Sequence, residues 1–102
     1  MPYCYIVKCS DETFYTGWTT DVERRVTQHN AGQGGRYTRI RRPVTLVYAE
    51  SLPDRAAAQK RELAIKRLPR AKKLALVREG INREPTGRFA YDTTGRIARM
   101  AR

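Results

Sequence analysis

Two short stretches decide the fold: Tyr3-Cys4-Tyr5-Ile6-Val7-Lys8-Cys9 and Phe14-Tyr15-Thr16-Gly17-Trp18, joined by Ser10-Asp11-Glu12-Thr13. Both are rich in β-branched and aromatic residues, and the connector is made of turn formers, so residues 3–18 are predicted to form a β-hairpin. Gly17 leaves a gap in the second strand, where a backbone, a ligand or a phosphate can approach closely. Next comes Thr20-Asp21-Val22-Glu23, the Ser/Thr-x-x-Glu pattern of a capping box, which predicts a helix with Thr20 as N-cap and Glu23 reaching back. Gly32 suits the stop of that helix near Asn30 or Ala31.

Gly32-Gln33-Gly34-Gly35 then opens a glycine- and arginine-rich loop that runs to Pro43, and Val44-Thr45-Leu46-Val47-Tyr48-Ala49 reads as a third strand. A second helix is predicted from Ala56 to about Leu68, where Pro69 breaks it, and a third from Arg70 to Glu79, closed by Gly80. The order β-β-α-β-α-α gives an α+β fold: a small three-stranded antiparallel sheet flanked by about three helices. Residues 1–81 form this domain. Residues 82–102 are expected to be a basic C-terminal tail, disordered or a loosely attached hairpin.

Charge narrows the function classes. Among 102 residues, 21 Lys and Arg face 10 Asp and Glu, a net charge of +11. Such a domain repels itself, and a polyanion is the usual reason to tolerate that. Nucleic acid comes first; an anionic membrane surface or a ribosomal RNA site shares the charge argument alone. No apolar run is long enough to span a bilayer, and the N-terminus carries no secretory pattern. Cys4 and Cys9 are five apart, hence on opposite faces of a strand and outside any CxxC pattern. They read as free thiols of a reduced, cytoplasmic setting.

Three polar residues stand where apolar ones are expected. Residues 22, 25, 26 and 29 share one face of the first helix, so Arg25 and His29 point towards the sheet beside Val22 and Val26. A guanidinium placed there needs an anion, supplied by an internal ion pair or by a ligand. Between Arg55 and Arg78 nine basic residues surround one acid, Glu62, which shares a face with Ala58 and Ile65. Glu62 either pairs with Arg25 or Lys66, or holds a hard divalent cation. Tyr3 and Tyr5 share a strand face, and Tyr15 stands beside Gly17; Tyr48 is assigned to packing.

These positions resemble the GIY-YIG nuclease superfamily. Its two triplets appear as Tyr3-Cys4-Tyr5, with Tyr3 in place of the glycine, and Tyr15-Thr16-Gly17, with Thr16 in place of the aliphatic residue. The subgroup it is most similar to comprises small stand-alone members related to the catalytic domain of the Slx structure-specific endonuclease. The resemblance covers about Tyr3 to Gly80. It implies catalytic roles for Tyr15 (general base or base relay), Arg25 (phosphate charge), Tyr5 (water or phosphate) and His29 (proton relay). It further implies Glu62 as ligand of one divalent ion, Mg²⁺ with Mn²⁺ as substitute, and a backbone approach at Gly17. Arg36, Arg39, Arg41, Arg42, Lys66, Arg67, Arg70, Lys72 and Lys73 are the expected phosphate-tracking surface. The expected function is metal-dependent hydrolysis of branched, flapped or single-stranded DNA in repair or recombination. An accessory protein would serve substrate choice, with no membrane and no nucleotide cofactor. The alternative is a non-catalytic nucleic-acid-binding module on the same fold.

Overall fold

β1 (Tyr3–Lys8) lies at the centre of a three-stranded antiparallel sheet, with β2 (Phe14–Thr19) on one side and β3 (Thr45–Ser51) on the other. The computed structural model describes residues 1–79, together with a short antiparallel backbone pairing of Ala90–Tyr91 with Ile97–Ala98. The expectation of a disordered or loosely attached tail at residues 82–102 otherwise lies outside the described residues.

The remaining elements are α1 (Val22–Asn30), a single turn α2 (Arg36–Arg39), α3 (Arg55–Lys66) and α4 (Arg70–Glu79). The α+β class, the antiparallel sheet and the element order are as the sequence predicts, with α2 added inside the loop. Alternation along β1 separates two cores. Tyr3, Tyr5, Val7 and Cys9 pack with Val22 and Val26 of α1 on one face. Cys4 and Ile6 pack with Ile65 of α3 on the other, and Leu76 and Val77 of α4 close over them. Both thiols are free and buried, on opposite faces.

The β1–β3 register slips between Ile6 and Val7, which pair with Tyr48 and Leu46. Val47 is the residue passed over, so it and Tyr48 reach the same core. Tyr48 is fully buried, and its hydroxyl donates to Glu50 Oε1 at 2.7 Å; Arg61 of α3 grips the same oxygen at 2.9 Å. Asn30, at the end of α1, clamps the entry to β3 through both main-chain groups of Val44, at 3.0 and 2.7 Å.

The capping box at Thr20 is corrected by one residue. Asp21 is the N-cap: its carboxylate accepts from Arg24 N–H at 3.0 Å, while Thr19 Oγ1 accepts from Asp21 N–H at 3.2 Å. Aspartate is a stronger cap than threonine, and Thr19 serves the preceding amide. The second helix stops at Lys66 rather than Leu68, two residues further before Pro69.

Candidate active site

The site is built where β2, the first strand's middle and α1 meet. Tyr5 on β1 pairs with Gly17 on β2, so its phenol crosses the gap where a side chain is missing. A Cβ on Gly17 would stand 2.6 Å from the Tyr5 hydroxyl oxygen and 2.8 Å from Cζ. The close approach inferred at Gly17 is therefore made by the protein's own tyrosine.

His29 receives that phenol. Tyr5 Oη lies 2.8 Å from His29 Nε2, and His29 Nδ1 lies 2.7 Å from Thr38 Oγ1, all three groups being buried. Burial pushes the Tyr5 phenol up to about 12, with the Arg25 guanidinium pulling the other way. Burial, reinforced by Arg25, pushes the His29 imidazole down to about 4. At neutral pH both are uncharged. The neutral imidazole donates through one ring nitrogen and accepts through the other, with Nε2 engaged by the Tyr5 hydroxyl and Nδ1 by the Thr38 hydroxyl. Gly34 belongs to this arrangement, since any Cβ there would collide with the His29 ring.

Tyr15 on β2 meets the edge of the His29 ring at 5.3 Å between centroids. Its other neighbour is Tyr37 of α2, stacked at 5.8 Å with 27° between planes, and Arg41 lies 3.8 Å over Tyr37. Arg41 also donates to Asp11 Oδ2 at 3.0 Å and to the Tyr37 carbonyl at 2.9 Å. Its guanidinium fixes the loop, as does that of exposed Arg42, which donates to the Arg39 carbonyl at 2.9 Å and the Asn30 carbonyl at 3.5 Å, while Arg36 and Arg39 are exposed on the same segment.

Arg25 does not find the carboxylate that its position demanded. Its half-buried guanidinium donates to Gln28 Oε1 at 3.1 Å and to the Gly34 carbonyl at 3.3 Å. Both acceptors are neutral, and among the described residues no carboxylate lies within ion-pair distance of it. Glu62 pairs instead with Lys66, whose Nζ lies 2.9 Å from Oε2 and 5.8 Å from the Tyr15 ring centroid. Glu62 and Tyr15 are thus bridged by one lysine, and Glu62 lies close enough to act on the charge of Tyr5.

The sequence-derived residues Tyr5, Tyr15, Gly17, Arg25 and His29 come together, with Glu62 and Lys66 at their margin. Arg67, Arg70 and Lys72 are exposed around the start of α4, with Arg70 lying 4.6 Å over Phe14, while Lys73 is half-buried. Thr38, Gly34, Gln28 and Tyr37 join the site beyond the residues that the sequence points to; the glycine-rich run 32–35 is the local feature that accompanies them, and its Gly34 leaves room for the His29 ring.

No group of three or more His, Cys, Asp or Glu stands together among the described residues, so a metal there would have fewer than three such protein ligands. Mg²⁺ suits that donor set, because it keeps several waters and takes one or two carboxylates plus substrate phosphate oxygens. No helix among the described residues is long and apolar enough to cross a membrane.

Residues 1–75 match the GIY-YIG catalytic domain family. A UPF0213 protein of Halobacterium salinarum is 55% identical over 76 residues, 74% of this chain and 99% of that protein. A UPF0213 protein of Staphylococcus saprophyticus is 54% identical over 78 residues, 76% of this chain and 95% of that one. The solution structure of the UPF0213 protein BH0048 from Bacillus halodurans aligns with a TM-score of 0.51 at 44% identity, covering 78% of this chain and 85% of its own. Sequence, fold and the placement of both triplet tyrosines on adjacent strands agree: the chain belongs to the GIY-YIG family of nuclease domains, alongside these small UPF0213 relatives.

Proposed function

We propose that this protein is a metal-dependent endonuclease that hydrolyses DNA phosphodiester bonds, acting on branched, flapped or single-stranded substrates in repair or recombination. The observation that carries this reading is the state of Arg25, a half-buried guanidinium held only by neutral oxygens beside the Tyr5 phenol. A guanidinium so placed keeps its charge for an anion, and its planar fork matches two phosphate oxygens.

In this reading Arg25 stabilises the charge that grows on the scissile phosphate. Tyr15, oriented between His29 and Tyr37, takes the proton of the attacking water while passing its own hydroxyl proton to solvent, and the P–O bond to the leaving oxygen breaks as that oxygen takes up a proton from solvent. Tyr5, uncharged and tied to His29, orients that water or the phosphate. His29, engaged by Tyr5 at Nε2 and by Thr38 at Nδ1, holds Tyr5 in place and keeps the proton-relay role that the resemblance implies. Glu62 would hold the divalent ion, Mg²⁺ or Mn²⁺, which when bound supplies Lewis-acid charge to the phosphate. Exposed Arg36, Arg39, Arg42, Arg67, Arg70 and Lys72 supply affinity without sequence preference, falling steeply with salt.

Labelled flap, fork, single-stranded and duplex DNAs, incubated with and without Mg²⁺ or Mn²⁺, test the reading. Cutting is expected only with metal, and Tyr15→Phe, Arg25→Ala and Glu62→Ala are each expected to abolish it while the fold survives. Full-rate cutting by Glu62→Ala removes the metal assignment. Salt-sensitive binding with no cutting of any substrate selects the non-catalytic binding module instead.

A further inference from the structure

A cleft of about 480 Å³ opens at the C-terminal end of β2, where α1 and α3 both begin. Its walls include Trp18 at the end of β2, Arg24, Arg25 and Gln28 of α1, and Arg55, the first residue of α3. Its volume falls within the range of about 300–1,000 Å³ usual for small-molecule sites. Three arginines line it. The one carboxylate in its lining, Asp21, is engaged as the cap of α1. Trp18 presents a half-buried indole, and the guanidinium of exposed Arg55 lies over it at 5.5 Å from the ring centroid.

We propose that this cleft binds one nucleotide of an unpaired strand, its base stacked on Trp18 and its flanking phosphates held by Arg24 and Arg55. Flat stacking needs a free base face, and bases inside a duplex offer only their edges in the grooves. An indole flanked by guanidinium groups is the recurring platform for single strands, because every base has a π-face and every linkage a charge. Arg55 does not block the indole: its long side chain is exposed and can swing from the ring to the adjoining phosphate. The position of Arg25 sets the register. Arg25 lines the cleft and also acts on the charge of Tyr5, so the bound nucleotide adjoins the phosphate at the proposed reaction centre. This deepens the nuclease reading and rests on it for that adjacency alone; it selects strands with an unpaired nucleotide beside the cut.

The chain has one tryptophan, so its intrinsic fluorescence reports on this cleft. The full-length protein in EDTA is titrated with a short oligothymidylate, an abasic strand of equal length and a duplex of equal length. The oligothymidylate is expected to quench Trp18 and to bind about tenfold more tightly than the abasic strand, the gain of one stacked base. By anisotropy of labelled strands, Trp18→Ala is expected to erase that difference, while Trp18→Phe retains most of it. Arg24→Ala with Arg55→Ala should weaken both single strands alike, by about tenfold. Binding without quenching, or equal affinity for base-bearing and abasic strands, overturns the proposal, and the wild-type titration decides this even if Trp18→Ala fails to fold. Quenching without any metal-dependent cutting keeps the cleft and removes the nuclease reading. Cutting with neither quenching nor base dependence does the reverse.

Discussion

Lys66 Nζ lies 2.9 Å from Glu62 Oε2, an i,i+4 ion pair on the face of α3 that turns towards Tyr15. The lysine side chain is 46% exposed and the carboxylate 21%, so the pair contributes only about 0.3–0.5 kcal/mol to stability. Such a contact is easily opened for another cation, and it is too weak to account for an acid on an inward-leaning position. Glu62→Gln is therefore expected to shift the thermal midpoint by no more than about 3 °C, while metal-dependent cutting is lost. Circular dichroism melts beside a cleavage assay separate the two effects. A drop of 10 °C or so would assign Glu62 to the fold.

His29 makes stability depend on pH. Its folded-state value is depressed from 6.5 to about 4 by burial and Arg25. Above 6.5 both folded and unfolded chains hold it neutral, and nothing is lost. As pH falls below 6.5, the unfolded chain takes up a proton that the folded chain refuses, so stability declines until about pH 4 and this contribution then levels off. The full effect is on the order of 3 kcal/mol. Urea midpoints measured across this window should fall with acid for the wild type and lose most of that slope in His29→Gln. An unchanged slope in the variant would move the acid sensitivity to other groups.

What could be read from the chain, and what could not, follows one physical division. β1, β2, β3, α1 and α3 carry apolar patterning of their own, and α4 is bracketed by Pro69 and Gly80, so local sequence places them. The α1 start was missed by one residue because Thr19, Thr20 and Asp21 all have capping side chains, and only the folded backbone shows which of them is used. α2 has a single turn and no pattern; it is held by the Thr38–His29 hydrogen bond and the Arg41–Tyr37 contacts, which are tertiary. The inward placement of Arg25 and His29 was legible from helical spacing. Their partners were not, because Gly34 and Thr38 arrive through the loop. The Trp18 cleft stayed hidden for a similar reason: it exists only because two helices begin at the same end of β2.

Thr16 is the one buried side-chain polar atom left without a partner among the described residues. It stands at the triplet position where the family has an aliphatic residue, 3% exposed, paired across the sheet with Ile6. An unpaired hydroxyl there costs about 1–3 kcal/mol in desolvation, and valine has nearly the same shape. Thr16→Val is expected to stabilise the domain by about 1 kcal/mol, read as a higher urea midpoint at unchanged m-value. Destabilisation would show that the hydroxyl is satisfied in solution.

Gly17→Ala puts a methyl group 2.6 Å from the Tyr5 hydroxyl oxygen and 2.8 Å from Cζ, distances that real Cβ atoms do not tolerate. The ring has nowhere to retreat, because Tyr5 is 1% exposed and its hydroxyl is tied to His29, itself tied to Thr38. Overpacking of this kind costs about 1–3 kcal/mol. It is also expected to displace the phenol that faces Arg25, so cutting should fall well beyond what the loss of stability explains. A double-mutant cycle with Tyr5→Phe isolates the clash: removing the oxygen deletes the shortest contact, so the double variant should be about 0.5–1 kcal/mol more stable than the sum of the single effects predicts. Strict additivity would mean that the methyl group is accommodated by β2 shifting away, leaving the Tyr5–His29 hydrogen bond intact.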